Sequence, residues 1–295
     1  MSTYALSCCS TADLTLEHFN RRSIEWIPFH YELDGVSHLD DLGQTMKPAD
    51  FYAAMVAGAD TKTSQVNVHE FTSHFERLVE EGKDVLHLTL SSGISGVLQS
   101  AEIAAREVME AHPGSKVYVV DSLAASSGYG LLMDKLADLR DQGMGLEELR
   151  DWAEANRLGV HHWFYSTDLT FYVRGGRVSK AEGFIGSALK ICPLLNVDYR
   201  GQLIPREKIR TKKRAARTAA KRMEEHALDG LDYSGKVYIS QSACYDDARM
   251  LADIVESTFT KLDGPVQIYD IGTTIGSHTG PGTIALFFWG DKRTD

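Results

Sequence analysis

The sequence predicts an α/β protein with mostly parallel sheets. Two observations carry this. Apolar, β-branched or aromatic runs alternate with amphipathic helical patterns almost throughout the chain, which is the order expected of strand–helix–strand units. Small hydroxyl residues and glycines collect just after several of the strand-like runs, where the helices of such folds begin and where ligands bind.

The strand runs are residues 4–8, 24–29, 85–90, 117–120, 163–165, 191–197, 237–240, 266–271 and 284–289. Between them, Phe71, Phe75, Leu78 and Val79 follow the 3–4 spacing of a helix ending near Gly82. Ala101, Ala104, Ala105 and Val108 define a helix over 97–111. Further helical patterns cover 131–139, 146–155, 211–228 and 245–259. At about 100–200 residues per domain, 295 residues make two domains or one large one. The sequence divides best near 165–170, giving an N-terminal α/β domain over 1–165 and a C-terminal one over 166–295.

Composition narrows the function classes. Net charge is −10, which disfavours general nucleic-acid binding. The first residues lack a charged leader and a long apolar run, and no segment approaches the ~18 apolar residues of a membrane span. Cys8, Cys9, Cys192 and Cys244 form no CxxC pair, which suits a reducing cytoplasmic compartment. His161-His162 and His69/His74 show no metal-ligand spacing. One segment stands out: nine basic residues lie between Arg206 and Arg222, with Glu207 the single acid. Arg210, Arg214, Arg217 and Lys221 follow 4-3-4 spacing and so share a helix face. That face reads as solvated surface or as a docking site for an acidic partner or an anionic membrane surface.

The strand ends hold the candidate site residues. Residues 85–90 lead into Ser91-Ser92-Gly93-Ile94-Ser95-Gly96, and 117–120 lead into Asp121-Ser122. Residues 266–271 lead through Gly272-Thr273-Thr274 to Ser277-His278-Thr279-Gly280-Pro281-Gly282. Thr63, in Thr61-Lys62-Thr63-Ser64-Gln65, reads alone as a turn or helix cap before a helix starting near His69. Ser92 and Ser95 read as caps, as hydroxyl donors to an anion, or as both. Gly93-Ile94-Ser95-Gly96 is not the G-x-S-x-G nucleophile elbow. Ser95, His278 and Asp121 still keep a transferase or hydrolase acting on small molecules as the second reading. Arg174-Gly175-Gly176-Arg177 is a turn or an anion contact.

These motifs resemble those of the DegV family, in order and approximate spacing. The match takes in Thr63-Ser64-Gln65, Ser91 to Gly96, Asp121-Ser122, Arg174 to Ser179, Lys190-Ile191-Cys192-Pro193-Leu194-Leu195, Gly201, Arg210-Thr211 and His278 to Gly282, which is nearly the whole chain. The resemblance implies a DegV-like, EDD-type fold of two α/β domains with a lipid between them, and a non-catalytic protein needing no cofactor. The ligand would be a long-chain fatty acid. Thr63, Ser92, Gly93, Ser95, His278 and Thr279 would surround its carboxylate. FakB-type members present the acid to a separate fatty acid kinase related to dihydroxyacetone kinases, for which Arg177, Arg206 and Arg210 are candidate phosphate or kinase contacts. The chain departs from the family where a Thr-Asp-Ser-type run is expected, with Cys9 standing for the aspartate. Ile185, Leu189, Ile191 and Leu194 are candidates for the tunnel wall or for ordinary core.

Overall fold

The computed structural model describes residues 4–178 and 191–294. Strands β1 (Tyr4–Cys9), β2 (Ile24–Ile27), β6 (Asp84–Thr89) and β7 (Val117–Asp121) form a wholly parallel sheet in the order β2-β1-β6-β7. A second sheet holds β8 (Val160–Tyr165), β9 (Ile191–Val197), β10 (Leu203–Arg210), β11 (Tyr238–Gln241), β12 (Gln267–Asp270) and β13 (Ile284–Trp289), in the order β10-β9-β8-β13-β11-β12. The third is antiparallel and small: β3 (His30–Leu33), β4 (Val36–Leu39) and β5 (Thr61–Ser64), ordered β4-β3-β5.

The helices are α1 (Leu16–Arg21), α2 (Pro48–Val56), α3 (Val68–Glu80), α4 (Val97–Ala111), α5 (Ser126–Asp141), α6 (Leu146–Asn156), α7 (Thr170–Arg174), α8 (Lys212–His226), α9 (Tyr245–Thr258) and α10 (Thr273–Thr279). Helices α3 and α4 bury Phe71, Phe75, Leu78, Ala101 and Val108 against one face of the parallel sheet. On the six-stranded sheet, α8 and α9 cover the outer face with Ala216, Ala219, Ala220, Leu251 and Val255. Helix α5 lies between the two sheets, touching β1 on one side and β8, β11 and β13 on the other. Gly128 makes that sandwich possible: a Cβ there would overlap the His162 ring and sit 2.5 Å from Phe287.

The mixed α/β class holds, but the expectation of mostly parallel sheets is corrected. Parallel pairing rules the first sheet alone. In the second, only β11 and β12 run parallel, because β9 reverses into β10 through a tight turn at Gly201 (φ +73°), and β13 enters antiparallel between β8 and β11. The boundary near residue 165 is also displaced. Strand β8, assigned by sequence to the first half, pairs with β9 and β13 and so belongs to the second sheet.

The basic segment splits into two elements. Arg210 ends β10, and Thr211, at φ +76°, caps α8 through its side chain. Arg210 therefore does not share the helix face, which keeps Arg214, Arg217 and Lys221 exposed. Among the described residues, no helix is long and apolar enough to cross a membrane.

Candidate functional site

The parallel and six-stranded sheets and the small third sheet enclose a cavity of about 390 Å³. Its long walls are apolar: Phe29 and Leu90 from one side, Phe164, Val197, Ala285 and Phe287 from the other. Alternation along β13 turns Ala285 and Phe287 inward, with Thr283 in line just before the strand. At about 3.4 Å per residue, those three positions span roughly 14 Å. The Thr283 end is tied to α7 and α10: Tyr172 Oη lies 3.1 Å from Thr283 Oγ1, which donates to the Thr279 carbonyl at 3.3 Å. At the opposite end, Phe287 faces its strand neighbour His162, with Ser126 and Ala125 beside them.

Polar groups converge at the α7–α10 end. Thr63 Oγ1 sits 2.7 Å from His278 Nε2. Arg177 Nη1 lies 3.5 Å from His278 Nδ1 and donates to the Gly175 carbonyl at 2.5 Å, while its Nε donates to the Ile94 carbonyl at 3.3 Å. An arginine only donates, so Nδ1 is the accepting nitrogen and Nε2–H donates to Thr63. The Thr63 hydroxyl proton is then left to point at a ligand. Gly175 lets this cluster close, since a Cβ would overlap His278 Nδ1. Burial, then the adjacent Arg177 charge, push the His278 imidazole down to about 4. Burial likewise lowers Arg177 from its ordinary value.

Ser95 lines the same end, donating to Gln65 Oε1 at 3.5 Å and accepting from the Val97 amide at 3.2 Å, so it bonds the first amide of α4, one residue before the Gly96 N-cap, and faces the cavity at once. Thr279 Oγ1 is buried without a hydrogen-bond partner among the described residues. A buried, unpaired hydroxyl in a cavity wall costs free energy unless something enters to bond it.

Several sequence expectations shift here. Thr63 is no cap: it lies on β5 opposite Tyr31, and Asn67 with Glu70 forms the capping box of α3. His278 belongs to a helix rather than a loop, with Gly280 (φ +69°) ending α10. Ser92 and Gly93 do not line the cavity. Ser92 is exposed and its amide donates to Asp121 Oδ1 at 3.1 Å. Gly93 packs on the β9–β10 turn, where a Cβ would lie 2.5 Å from the Arg200 carbonyl oxygen. Arg206 and Arg210 sit on β10 outside the cavity wall, and Arg206 Nε donates to Asn196 Oδ1 at 2.8 Å.

Cys9 is fully buried at the end of β1, on the face that α3 and α4 cover, 3.7 Å from His87 Nε2, and takes no part in the cavity wall. Leu194 faces the α8–α9 layer, because the strand pleat turns Leu195 and Val197 the other way; Ile191 is likewise outside the lining. Ile185, Leu189, Ser179 and Lys190 lie outside the described residues. His162, Phe164, Tyr172 and Phe287 were missed in sequence, since they look like any buried aromatic.

A serine–histidine–aspartate relay is not assembled. His278 spends its ring nitrogens on Thr63 and Arg177, Ser95 bonds Gln65 and Val97, and Asp121 accepts from the Ser92 and Leu123 amides.

A family model described as an uncharacterised DegV family protein matches residues 9–291, so the chain belongs to the DegV family. A DegV domain-containing protein of Clostridium perfringens (strain 13 / Type A) is 32% identical over 293 residues, covering 99% of both chains. A fatty acid-binding protein of Thermotoga maritima is 30% identical over 283 residues, 94% of each. Among solved structures, a DegV family protein from Thermus thermophilus described for its fatty acid binding superposes with a TM-score of 0.86 at 28% identity, over 98% of this chain and 99% of its own.

Proposed function

We propose that this protein is a carrier that holds one long-chain fatty acid and catalyses no reaction on it. The observation that carries this reading is the cavity's polarity: an apolar slot with Thr63, Ser95, Arg177, His278 and the Thr279 hydroxyl gathered at one end, while His162 and Ser126 at the other are engaged by the Ala125 amide, the Val160 carbonyl and Asp13. A carboxylate suits that cluster, because the Thr63 and Thr279 hydroxyls each keep a proton to donate, Arg177 only donates, and Ser95 can turn its proton from a long 3.5 Å contact with Gln65. A straight hydrocarbon suits the rest. Burying ~16 methylenes at ~0.8 kcal/mol each supplies on the order of 10 kcal/mol, enough for tight binding with few polar contacts. The carboxylate sits among Thr63, Ser95, His278 and Thr279, and the tail runs along β13 toward His162 and Phe287. The fatty acid binding of the Thermotoga and Thermus relatives supports the ligand class.

The same reading makes the protein the substrate-presenting partner of a separate fatty acid kinase. Arg177, at the head-group end, is placed to meet an acyl phosphate, and the exposed Arg214–Arg217–Lys221 face of α8 offers an electrostatic contact for an acidic partner. Four free cysteines fit a reducing cytoplasm.

Native mass spectrometry of the purified protein, followed by lipid extraction, tests the proposal. One acyl chain per protein is the expected result; a reproducible absence of bound lipid, together with no uptake of added oleate or palmitate, would sink it.

The His278 titration gives an independent check. In the ligand-free protein the ring should titrate near pH 4, and a bound carboxylate should raise that value by favouring the imidazolium. Affinity then rises as pH falls from the raised value toward about 4, with proton uptake visible by calorimetry in buffers of different ionisation heat. For folding the sign is opposite. The folded value lies below the ordinary ~6.5, so protonation costs stability progressively as pH drops from ~6.5 through about 4. A ring that titrates near 6.5 in the free protein and does not respond to ligand removes His278 from the site.

A further inference from the structure

We propose that His161, His226 and Asp291 form a binding site for a borderline transition metal such as Zn²⁺, Ni²⁺ or Co²⁺, on the face of the six-stranded sheet opposite the cavity. The three lie 65 and 130 positions apart in sequence, which is why no spacing motif reveals them. Folding brings His161 Nε2, His226 Nδ1 and an Asp291 carboxylate oxygen within 4.8 Å of one another. Asp291 Oδ1 is 3.0 Å from His161 Nε2 and 3.2 Å from His226 Nδ1. A tetrahedral metal with bonds of about 2.0–2.1 Å holds its ligand atoms roughly 3.3 Å apart, so these two edges already have nearly the right length. Two imidazoles and one carboxylate suit this metal class and leave a fourth position for water.

The backbone that carries the ligands is fixed without any metal. The Asp291 amide donates to the His226 carbonyl at 3.0 Å, Gly290 N–H to Gly159 O at 2.7 Å, and Leu228 N–H to Trp289 O at 3.1 Å. Gly290 is what permits this closeness: a Cβ there would overlap the His226 carbonyl and come within 2.8 Å of His161 Cδ2. His161 is buried and held flat against Phe288, ring centres 5.2 Å apart, so its orientation is set by packing. Its other face stacks on His226 at 4.9 Å with planes 22° apart. Two stacked rings do not aim their lone pairs at one point, so His226 must swing off the stack to bind. That swing also takes it off Trp163, on which it stacks at 5.9 Å; the ring sits at the partly exposed end of α8, and Asp291, mostly exposed, can follow it. The Asp291 main-chain oxygen, 2.8 Å from His161 Nε2, anchors that nitrogen in the free protein by accepting a hydrogen bond from its N–H. Metal binding replaces this bond and moves the His161 proton to Nδ1.

On β8, side chains alternate between faces: His162 lines the cavity and His161 faces away from it. Metal and acyl ligand therefore bind independently.

The test uses untagged full-length protein, stripped with EDTA and titrated with Zn²⁺ by calorimetry and with Co²⁺ by visible absorption. One equivalent should bind, with d–d bands of a nitrogen- and oxygen-ligated Co²⁺ site. His226→Ala and Asp291→Asn each remove an exposed ligand without opening the core. Each should weaken binding by at least the ~10-fold seen when even supporting groups are lost, and should erase the Co²⁺ bands. Absence of stoichiometric binding, or binding that both variants leave unchanged, overturns the proposal.

Discussion

Replacing Ala285 with phenylalanine is expected to abolish long-chain fatty acid binding while leaving the fold intact. Ala285 lies midway along the inward row Thr283–Ala285–Phe287, opposite Phe164 on β8. Its methyl is one of the few small groups in a wall built mostly from larger aliphatic and aromatic side chains, so a ring added there projects into the slot and closes it halfway. About eight methylenes of a ~16-carbon chain then lose their burial, which at ~0.8 kcal/mol each is about 6 kcal/mol, or roughly 10⁴-fold in affinity. A phenyl group filling an existing void makes new contacts, so thermal stability should hold or rise slightly. Acids of about eight carbons, whose tails end before Ala285, should bind almost as they do to the unaltered protein. Retention of palmitate or oleate at full affinity by a folded Ala285→Phe protein would show that the slot along β13 is not the acyl site.

The elements most legible in the sequence were those whose pattern is local. The alanine and valine spacing of 97–111 gave α4 to the residue, and the apolar run 191–197 gave β9 likewise. The pairing partners of strands were not legible, because parallel and antiparallel strands share one side-chain period. The β3–β4 hairpin was missed for a related reason: His30–Leu33 and Val36–Leu39 are short, mixed and partly exposed, without the apolar density of a core strand. Helix α10 carries Gly276 and three threonines, poor helix formers. It is held by tertiary contacts such as the Tyr52 hydroxyl donating to the Ile271 carbonyl and the Gly272 amide donating to Asp13. Within the site, Thr63, Ser95, His278, Thr279 and Arg177 were all named from motifs and all meet at one end of the cavity. The motif could not tell Ser95 from Ser92, since that depends on which way one turn faces. It could not tell Leu194 from Leu195, since that depends on which side of β9 the helices pack.

Arg293→Met is expected to lower stability by about 3 kcal/mol, more than ordinary surface changes near the C-terminus. Arg293 is 4% exposed, and its guanidinium binds carbonyls from three segments. Nη2 donates to Leu123 O at 2.8 Å, Nη1 to Asp198 O at 2.9 Å and Val197 O at 3.2 Å, and Nε to Leu158 O at 3.4 Å. Leu123 follows the parallel sheet, Leu158 precedes β8 and Asp198 follows β9, so one side chain joins both large sheets at the end where Val197 enters the cavity wall. Burial pushes the guanidinium down to about 10, which still leaves it charged at neutral pH. Each charge-assisted bond contributes about 1.5–3 kcal/mol, and removing the donor strands acceptors that no apolar side chain can bond. Against that, methionine relieves the cost of burying a charge, which brings the net near 3 kcal/mol. At about 2–4 °C per kcal/mol for a protein of this size, the midpoint of thermal unfolding should fall by roughly 6–12 °C. Lysine cannot reach these four carbonyls with the same fixed fork, so Arg293→Lys should recover only part of the loss. Saturating fatty acid should raise the midpoint of Arg293→Met by mass action, provided that the variant still binds it. A variant with an unchanged midpoint would show that the clamp carries no net stability, and one that fatty acid cannot raise would show that losing the clamp also destroys the acyl site.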